Sequence, residues 1–303
     1  MTGVWRGLLL VLLVAAAALG AGCGGEKKSA ERPLELEETL GFSRTGILER
    51  QSRVENNIRA CMKAQGFDYI PVDPFAQQQA LTGKARLTDE EFTKQFGYGI
   101  STLFGRGNVQ SDPNDRIRNS LSGADRAAYD RALWGDNPGV TFSEAVDSGD
   151  FTELGGCTRQ ATEEVFGGAA TLSTLVEKLD SLDERIDQDQ RMVRAVEKWS
   201  ECMTNAGYHY TKPDDIDGDV TKRFRAIVGS GVQPGATTPP AGATYDKAAL
   251  TALQRDEVKI ATTDLACEKR NITPVERVVR PQYEAQFRQQ NSRLLTRVKP
   301  LGQ

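Results

Sequence analysis

Ile58-Arg59-Ala60-Cys61-Met62-Lys63-Ala64-Gln65-Gly66-Phe67-Asp68-Tyr69 and Trp199-Ser200-Glu201-Cys202-Met203-Thr204-Asn205-Ala206-Gly207-Tyr208-His209-Tyr210 are two versions of one pattern, Cys-Met-x-x-x-Gly-aromatic-x-Tyr. Before each Cys the apolar residues recur at helical steps. Leu48, Val54, Ile58, Cys61 and Met62 form one stripe on a helix expected over 47–65. Met192, Val193, Val196, Trp199, Cys202 and Met203 form the matching stripe in the second copy. Gly66 and Gly207 stand where a glycine just past the last turn ends a helix. Pro71 and Pro213 follow the closing tyrosines, so each copy reads as helix, glycine stop and short extended segment.

The repeat decides how the cysteines pair. The chain has five Cys. Four of them, Cys61, Cys157, Cys202 and Cys267, allow three pairings, and spacing alone does not choose. Cys157 and Cys267 share a setting, each leading into a charged helical stretch, Thr158–Glu164 and Glu268–Arg270. An internal duplication in which each copy carries its own bond gives Cys61–Cys157 and Cys202–Cys267. In the chain-entropy account, loops of this length each add about 4–5 kcal/mol of stability.

The fifth cysteine belongs to an address. Arg6 precedes an apolar run from Leu8 to Leu19, which ends in Gly20-Ala21-Gly22-Cys23. The run is shorter than the roughly 20 residues a membrane-spanning helix needs, and reads as a secretory signal over 1–22. Small residues before Cys23 look like a bacterial lipobox, with Gly20 where the usual Leu stands and Leu19 one place earlier. Cleavage there leaves Cys23 as the lipid-bearing first residue. A polar stretch follows, and residues 23–40 read as a flexible tether. Loss of Arg6 moves the formal charge from −4 to −5.

The rest of the chain reads as mainly α, a disulfide-stapled helical bundle of two related halves, 41–186 and 187–303, with little β. Thr88-Asp89-Glu90-Glu91 is a capping box opening a helix through Phe92 and Phe96. A loop over 102–113 and a helix from about Ala124 to Trp134 follow. Leu172, Leu175, Val176, Leu179, Leu182 and Ile186 make the cleanest stripe, and its helix is expected to run on into the Trp199 helix. Val228 to Thr244 is a Gly/Pro/Thr-rich linker inside the second half. A helix over 245–270 precedes a last one capped by Thr273-Pro274-Val275-Glu276, kinked or restarted at Pro281, and running to about Arg297.

These features resemble a loosely defined set of uncharacterised lipoproteins from actinobacteria. The likeness rests on the lipobox-like start, the duplicated Cys-Met motifs and Phe96-Gly97-Tyr98-Gly99-Ile100. Tyr129 to Gly135 ahead of Gly156-Cys157, and Asp264-Leu265-Ala266-Cys267 before a Gln/Arg-rich terminal helix, complete it. The resemblance implies location and the paired-Cys plan, and no activity.

Composition narrows the function. A single His, His209, removes every multi-His metal site. The acidic balance argues against nucleic acid as a partner. Asp214-Asp215-Ile216-Asp217-Gly218-Asp219 mimics a calcium loop, but Pro213 and Phe224 fall where its first and twelfth positions need carboxylates, so no metal site and no cofactor is expected. Glu90/Glu91 and Glu163/Glu164 are the acids a cell-wall hydrolase would need. Adjacent acids on helices read instead as solvated faces. Phe67, Tyr69, Tyr208 and Tyr210 occupy equivalent places and are the candidate binding aromatics; the alternative is that they cover the disulfides. The expectation is a lipid-anchored protein of the cell membrane, facing outside the cytoplasm. Its role is non-catalytic binding, with an envelope protein or transporter as partner. A substrate-binding lipoprotein of a transporter is the other binding reading.

Overall fold

In a computed structural model, described over residues 36–42, 44–107, 113–137, 140–142, 145, 149–240 and 242–298, every regular element among the described residues is a helix. The first seven are α1 (Leu36–Leu40), α2 (Arg44–Ala64), α3 (Pro74–Thr82), α4 (Asp89–Phe96), α5 (Pro113–Ser120), α6 (Gly123–Trp134) and α7 (Gly156–Phe166). The rest are α8 (Ala169–Asp187), α9 (Gln190–Asn205), α10 (Asp214–Val228), α11 (Lys247–Asn271), α12 (Thr273–Gln290) and α13 (Ser292–Leu295). The expected signal, Cys23 and the tether as far as residue 35 lie outside the described residues. No helix among the described residues is long and apolar enough to cross a membrane.

The duplicated motif is a helix ending, made twice in the same way. Past α2, the Gly66 N–H donates to Lys63 O (3.1 Å) and the Phe67 N–H to Met62 O (3.0 Å). Past α9, the Gly207 N–H donates to Thr204 O and the Tyr208 N–H to Met203 O, both at 2.9 Å. Those two crossing bonds are the Schellman closure, which needs a left-handed residue at its turn. Gly66 and Gly207 supply it, at φ +85° and +92°. Met62 and Met203, whose carbonyls accept, are fully buried, while Phe67 and Tyr208 pack on the same core.

Both disulfides form as the duplication predicts: Cys61–Cys157 with Cα atoms 5.6 Å apart, and Cys202–Cys267 at 5.8 Å. Each joins a half-buried motif cysteine to a buried partner. Cys157 reaches Cys61 because α7 butts its N-terminus against the C-terminus of α6. Gly155 and Gly156 make that approach possible, since a Cβ on Gly155 would sit 2.1 Å from Trp134 O and one on Gly156 2.4 Å from Ala132 O. The Thr158 hydroxyl also donates to Leu133 O (3.0 Å). Positive and negative helix ends therefore meet head to tail.

One large apolar core runs through the bundle, with Trp199, Tyr129, Phe166 and Phe224 fully buried in it. α2 packs along α7, α6 on α7, and α8 against α12. α11 gathers α4, α9, α10 and α12 around itself. Buried polar groups lock these contacts. Arg50 is fully buried and donates to Leu40 O (2.6 Å) and Val165 O (3.1 Å), the carbonyls at the ends of α1 and α7. Its guanidinium also lies 4.7 Å over the Phe166 ring. Helix C-termini carry partial negative charge and the ring face attracts cations, so these contacts favour the charged guanidinium. Burial, with Arg53 nearby, lowers its pKa to about 10, which leaves it cationic at neutral pH.

Several expectations are corrected. Residues 36–40 are not tether but helix, with Leu36 and Leu40 buried, and the Leu36 N–H bonded to both Glu284 oxygens at 3.1 Å. α8 does not run into α9. It stops at Asp187, and Asp189, accepting from the Arg191 N–H, caps a new helix. α3 falls in a stretch for which the sequence suggests no element, and α5 begins at Pro113, where the expected loop ends. The linker is folded down: the Gly235 N–H donates to Ile100 O, the Gly107 N–H to Thr237 O (both 2.9 Å), and Val232 is buried. Thr273 caps nothing, because Ile272 leads α11 straight into α12. α12 continues through Pro281 and breaks later, at Asn291.

Candidate functional site

Tyr69 borders a cleft of about 210 Å3 between α2, α5, α6 and α7. Glu55, Asn114, Arg118, Tyr129 and Trp134 are among its other walls. The extended segment after Gly66 is held in place by side chains of α2 and α5. Glu55 accepts from the Tyr69 hydroxyl (3.0 Å) and the Val72 N–H (2.9 Å). Asn114 pairs with the Ile70 backbone through both ends of its amide, at 2.8 and 2.9 Å. Phe67 meets Tyr129 edge-on, with centroids 5.4 Å apart. Arg118 forks onto Asp130 at 2.5 and 2.7 Å, and that carboxylate raises its pKa. The same guanidinium lies 5.9 Å over Trp134. The cleft thus presents aromatic surface beside a hydrogen-bonded Glu55 and an Arg118 that is paired with Asp130.

The other aromatic pair does a different job. The Tyr210 hydroxyl donates to Asp219 (2.9 Å), and burial together with that carboxylate pushes its pKa well above the ordinary tyrosine value. Arg223 joins Asp219 and Asp256 beside it. Tyr208 is half-buried on the core. Tyr210 braces α9 to α10, since the Ser200 hydroxyl on α9 donates to Tyr210 O and the Tyr210 hydroxyl reaches Asp219 on α10. A shallow depression of about 600 Å3 over the Cys202–Cys267 bond, flanked by Lys198, Glu201 and Arg270, includes neither. Equivalent places in sequence therefore sit differently: Tyr69 at a cleft, Tyr210 in a brace and Tyr208 on the core.

The acids considered for hydrolysis are held by local partners. Glu90 accepts from Lys94 (2.6 Å) and pairs with Lys269 (2.8 Å), contacts that lower its pKa. Glu91 completes the capping box with Thr88 and pairs with Lys84, which holds its pKa near about 2. A general acid needs the opposite shift. Glu163 and Glu164 are exposed on α7, the second accepting from Gln160. Asp215 accepts from Thr211 and Lys212 at the start of α10, and His209 is exposed. Among the described residues no group of three or more His, Cys, Asp or Glu is arranged to hold a metal.

Besides Glu284, two buried acids escape sequence reasoning. Glu257 on α11 accepts from the N–H groups of Tyr98 (3.1 Å), Ile100 and Ser101 (both 2.8 Å) and from the Ser101 hydroxyl. The Gly97-Tyr98-Gly99 turn is therefore wrapped around a carboxylate. Burial raises the Glu257 pKa against the opposing pull of these bonds. Asp264, two turns on, accepts from the Tyr98 hydroxyl (2.7 Å) and from Trp199 Nε1 (2.8 Å). Only the 3.6-residue spacing of Glu257, Ile260 and Asp264 on one face of α11 hints at this from sequence.

The chain matches no protein-family model, no curated protein and no solved structure.

Proposed function

We propose that the chain is an extracytoplasmic lipoprotein, anchored to the cell membrane by a lipid on Cys23, and that it works by binding rather than by catalysis. Cysteine chemistry carries this reading. Four of the five Cys close on one another in two bonds, which persist only in an oxidising setting and leave Cys23 no partner cysteine in its own chain. Cys23 in turn follows an apolar run ending in small residues. The local pairing of Glu90 and Glu91 speaks for a non-catalytic role. The partner is an envelope protein or a transporter component, and the cleft beside Tyr69 is where it docks.

Metabolic labelling with a fatty acid tests the anchor. Wild type takes up label and Cys23→Ala does not; an unlabelled wild type, or a labelled Cys23→Ala, overturns it. A photoreactive side chain in place of Tyr69 tests the docking face in intact cells. A discrete cross-link from that position, missing when the group replaces exposed Lys222, is expected, and no cross-link from either position counts against the cleft.

A further inference from the structure

We propose that the Cys202–Cys267 bond is a site of thiol–disulfide exchange, open to an external thiolate that Lys198 and Arg270 draw in, while Cys61–Cys157 is structural. The inference goes beyond the anchored reading and stands with or without a lipid on Cys23.

The two bonds match in sequence and differ in surroundings. Each joins a half-buried cysteine, Cys61 or Cys202, to a buried one, Cys157 or Cys267. Gln160 lies against Cys61 Sγ, its Oε1 at 3.4 Å, and its amide donates to Glu164 (3.0 Å). A thiolate approaching Cys61 there must displace that side chain and face a carboxylate. Both Cys202 and Cys267 instead line the depression of about 600 Å3 between α9 and α11, which gives a thiol room to reach the bond. Lys198 on α9 and Arg270 on α11 line it too, four residues before Cys202 and three after Cys267. Glu201 is the one acid in the same lining, so its charges sum to +1. None of these three side chains is held in an ion pair among the described residues. The thiolate is the species that attacks a disulfide, and neighbouring Lys and Arg favour it. Helix position alone speaks for the other bond, because Cys157 is the second residue of α7 and a departing thiolate gains at a helix N-terminus. The C-terminus of α6 abuts that N-terminus and offsets the gain.

The external thiolate bonds to Cys202 Sγ as the Cys202–Cys267 bond breaks. Cys267 Sγ leaves with the electron pair and takes a proton from solvent. A second external thiolate then attacks the mixed disulfide, and Cys202 leaves in the same way. Two external thiols end as one disulfide, and the protein gains two electrons and two protons. The fold is arranged to survive this. Trp199 and Asp264 stand three residues before Cys202 and Cys267, and Trp199 Nε1 donates to Asp264 at 2.8 Å in the core. That bond pins α9 to α11 one turn from the disulfide, so the two thiols stay opposite each other and close again on oxidation.

The test uses the oxidised chain from residue 23 on with Cys23→Ser, so that every remaining cysteine is in one of the two bonds. Glutathione, an anionic thiol, and cysteamine, a cationic one, are added separately in native buffer. Free thiols are trapped with N-ethylmaleimide at intervals, and peptide masses identify the cysteines that have reacted. Cys202 and Cys267 should react at least about tenfold faster than Cys61 and Cys157, with tryptophan emission unshifted. Lys198→Gln with Arg270→Gln should lower the ratio of the glutathione rate to the cysteamine rate several-fold, and Glu201→Gln should raise it. Variants that merely loosen the fold speed both thiols alike. Equal rates at the two bonds, faster opening of Cys61–Cys157, or reaction only as the emission shifts overturns the proposal. So does a rate ratio that the variants do not move in these directions.

Discussion

Replacing Glu257 by Ala should unravel the turn between α4 and α11. The carboxylate satisfies three backbone N–H groups, on Tyr98, Ile100 and Ser101, and one hydroxyl. Its side chain is fully buried, so water cannot replace it without opening the turn. Each buried donor left without a partner costs about 1–3 kcal/mol. Part is recovered, because the burial that raises the Glu257 pKa is itself a cost that Ala removes. A net loss of about 3–5 kcal/mol is expected for Glu257→Ala. Glu257→Gln keeps the volume and one accepting oxygen but turns an NH2 toward N–H donors, so about 1–3 kcal/mol is expected. Urea unfolding at neutral pH with both disulfides intact measures this, through midpoint and slope. Hydrogen exchange at Ile100 and Ser101 localises it, since those amides should lose protection first. A Glu257→Ala midpoint within about 0.5 kcal/mol of wild type refutes the reasoning, as does unchanged protection of the two amides.

Two more predictions concern helix ends and pH. Gly66→Ala and Gly207→Ala should each cost about 1 kcal/mol, because the cost is only the positive φ and nothing lies within 4 Å of either new Cβ. Gly155→Ala should cost at least twice that, with its Cβ driven to 2.1 Å from Trp134 O; equal melting temperatures for the three variants would contradict both Schellman endings and the α6–α7 junction. Burial, then the charges of Asp183, Glu184 and Glu177, raises the pKa of half-buried Asp180 to about 6. The folded form then holds its proton more tightly than the unfolded one, so stability is lost as pH rises from about 4 through 6. Asp180→Asn should accordingly stabilise by about 1 kcal/mol at pH 7.5 and by nothing near pH 4, in paired thermal melts. A variant less stable than wild type at the higher pH would show the sign to be wrong.

Which parts were legible in sequence follows from range. The Cys-Met-x-x-x-Gly-aromatic pattern encodes a local closure, Met carbonyl to aromatic N–H across a left-handed glycine, and so it announced both helix ends and, by repetition, both disulfides. The Thr88–Glu91 box is equally local and stands as read. Charged residues satisfied from far along the chain were not legible. Arg50 reads as a solvent-facing residue because the carbonyls that hold it, Leu40 and Val165, mean nothing in sequence until α1 and α7 meet. Glu257 is hidden for the same reason, with its partners more than 150 positions away. The cleft was half visible. Tyr69 was found by repetition, whereas Arg118, Tyr129 and Trp134 reach it only through the packing of α6 on α7. Repetition does not show which carboxylate each hydroxyl meets: Tyr69 donates back to Glu55 on α2, and Tyr210 forward to Asp219 on α10.

The central claim is an oxidised helical body hung from a lipid at Cys23. Its most direct test is the mass of the N-terminal peptide of the protein extracted from membranes, digested without reduction. The account predicts a peptide beginning at Cys23 and carrying a diacylglycerol, alongside peptides joined as Cys61–Cys157 and Cys202–Cys267. A chain beginning elsewhere, an unmodified Cys23, or Cys61 joined to Cys202 would contradict it.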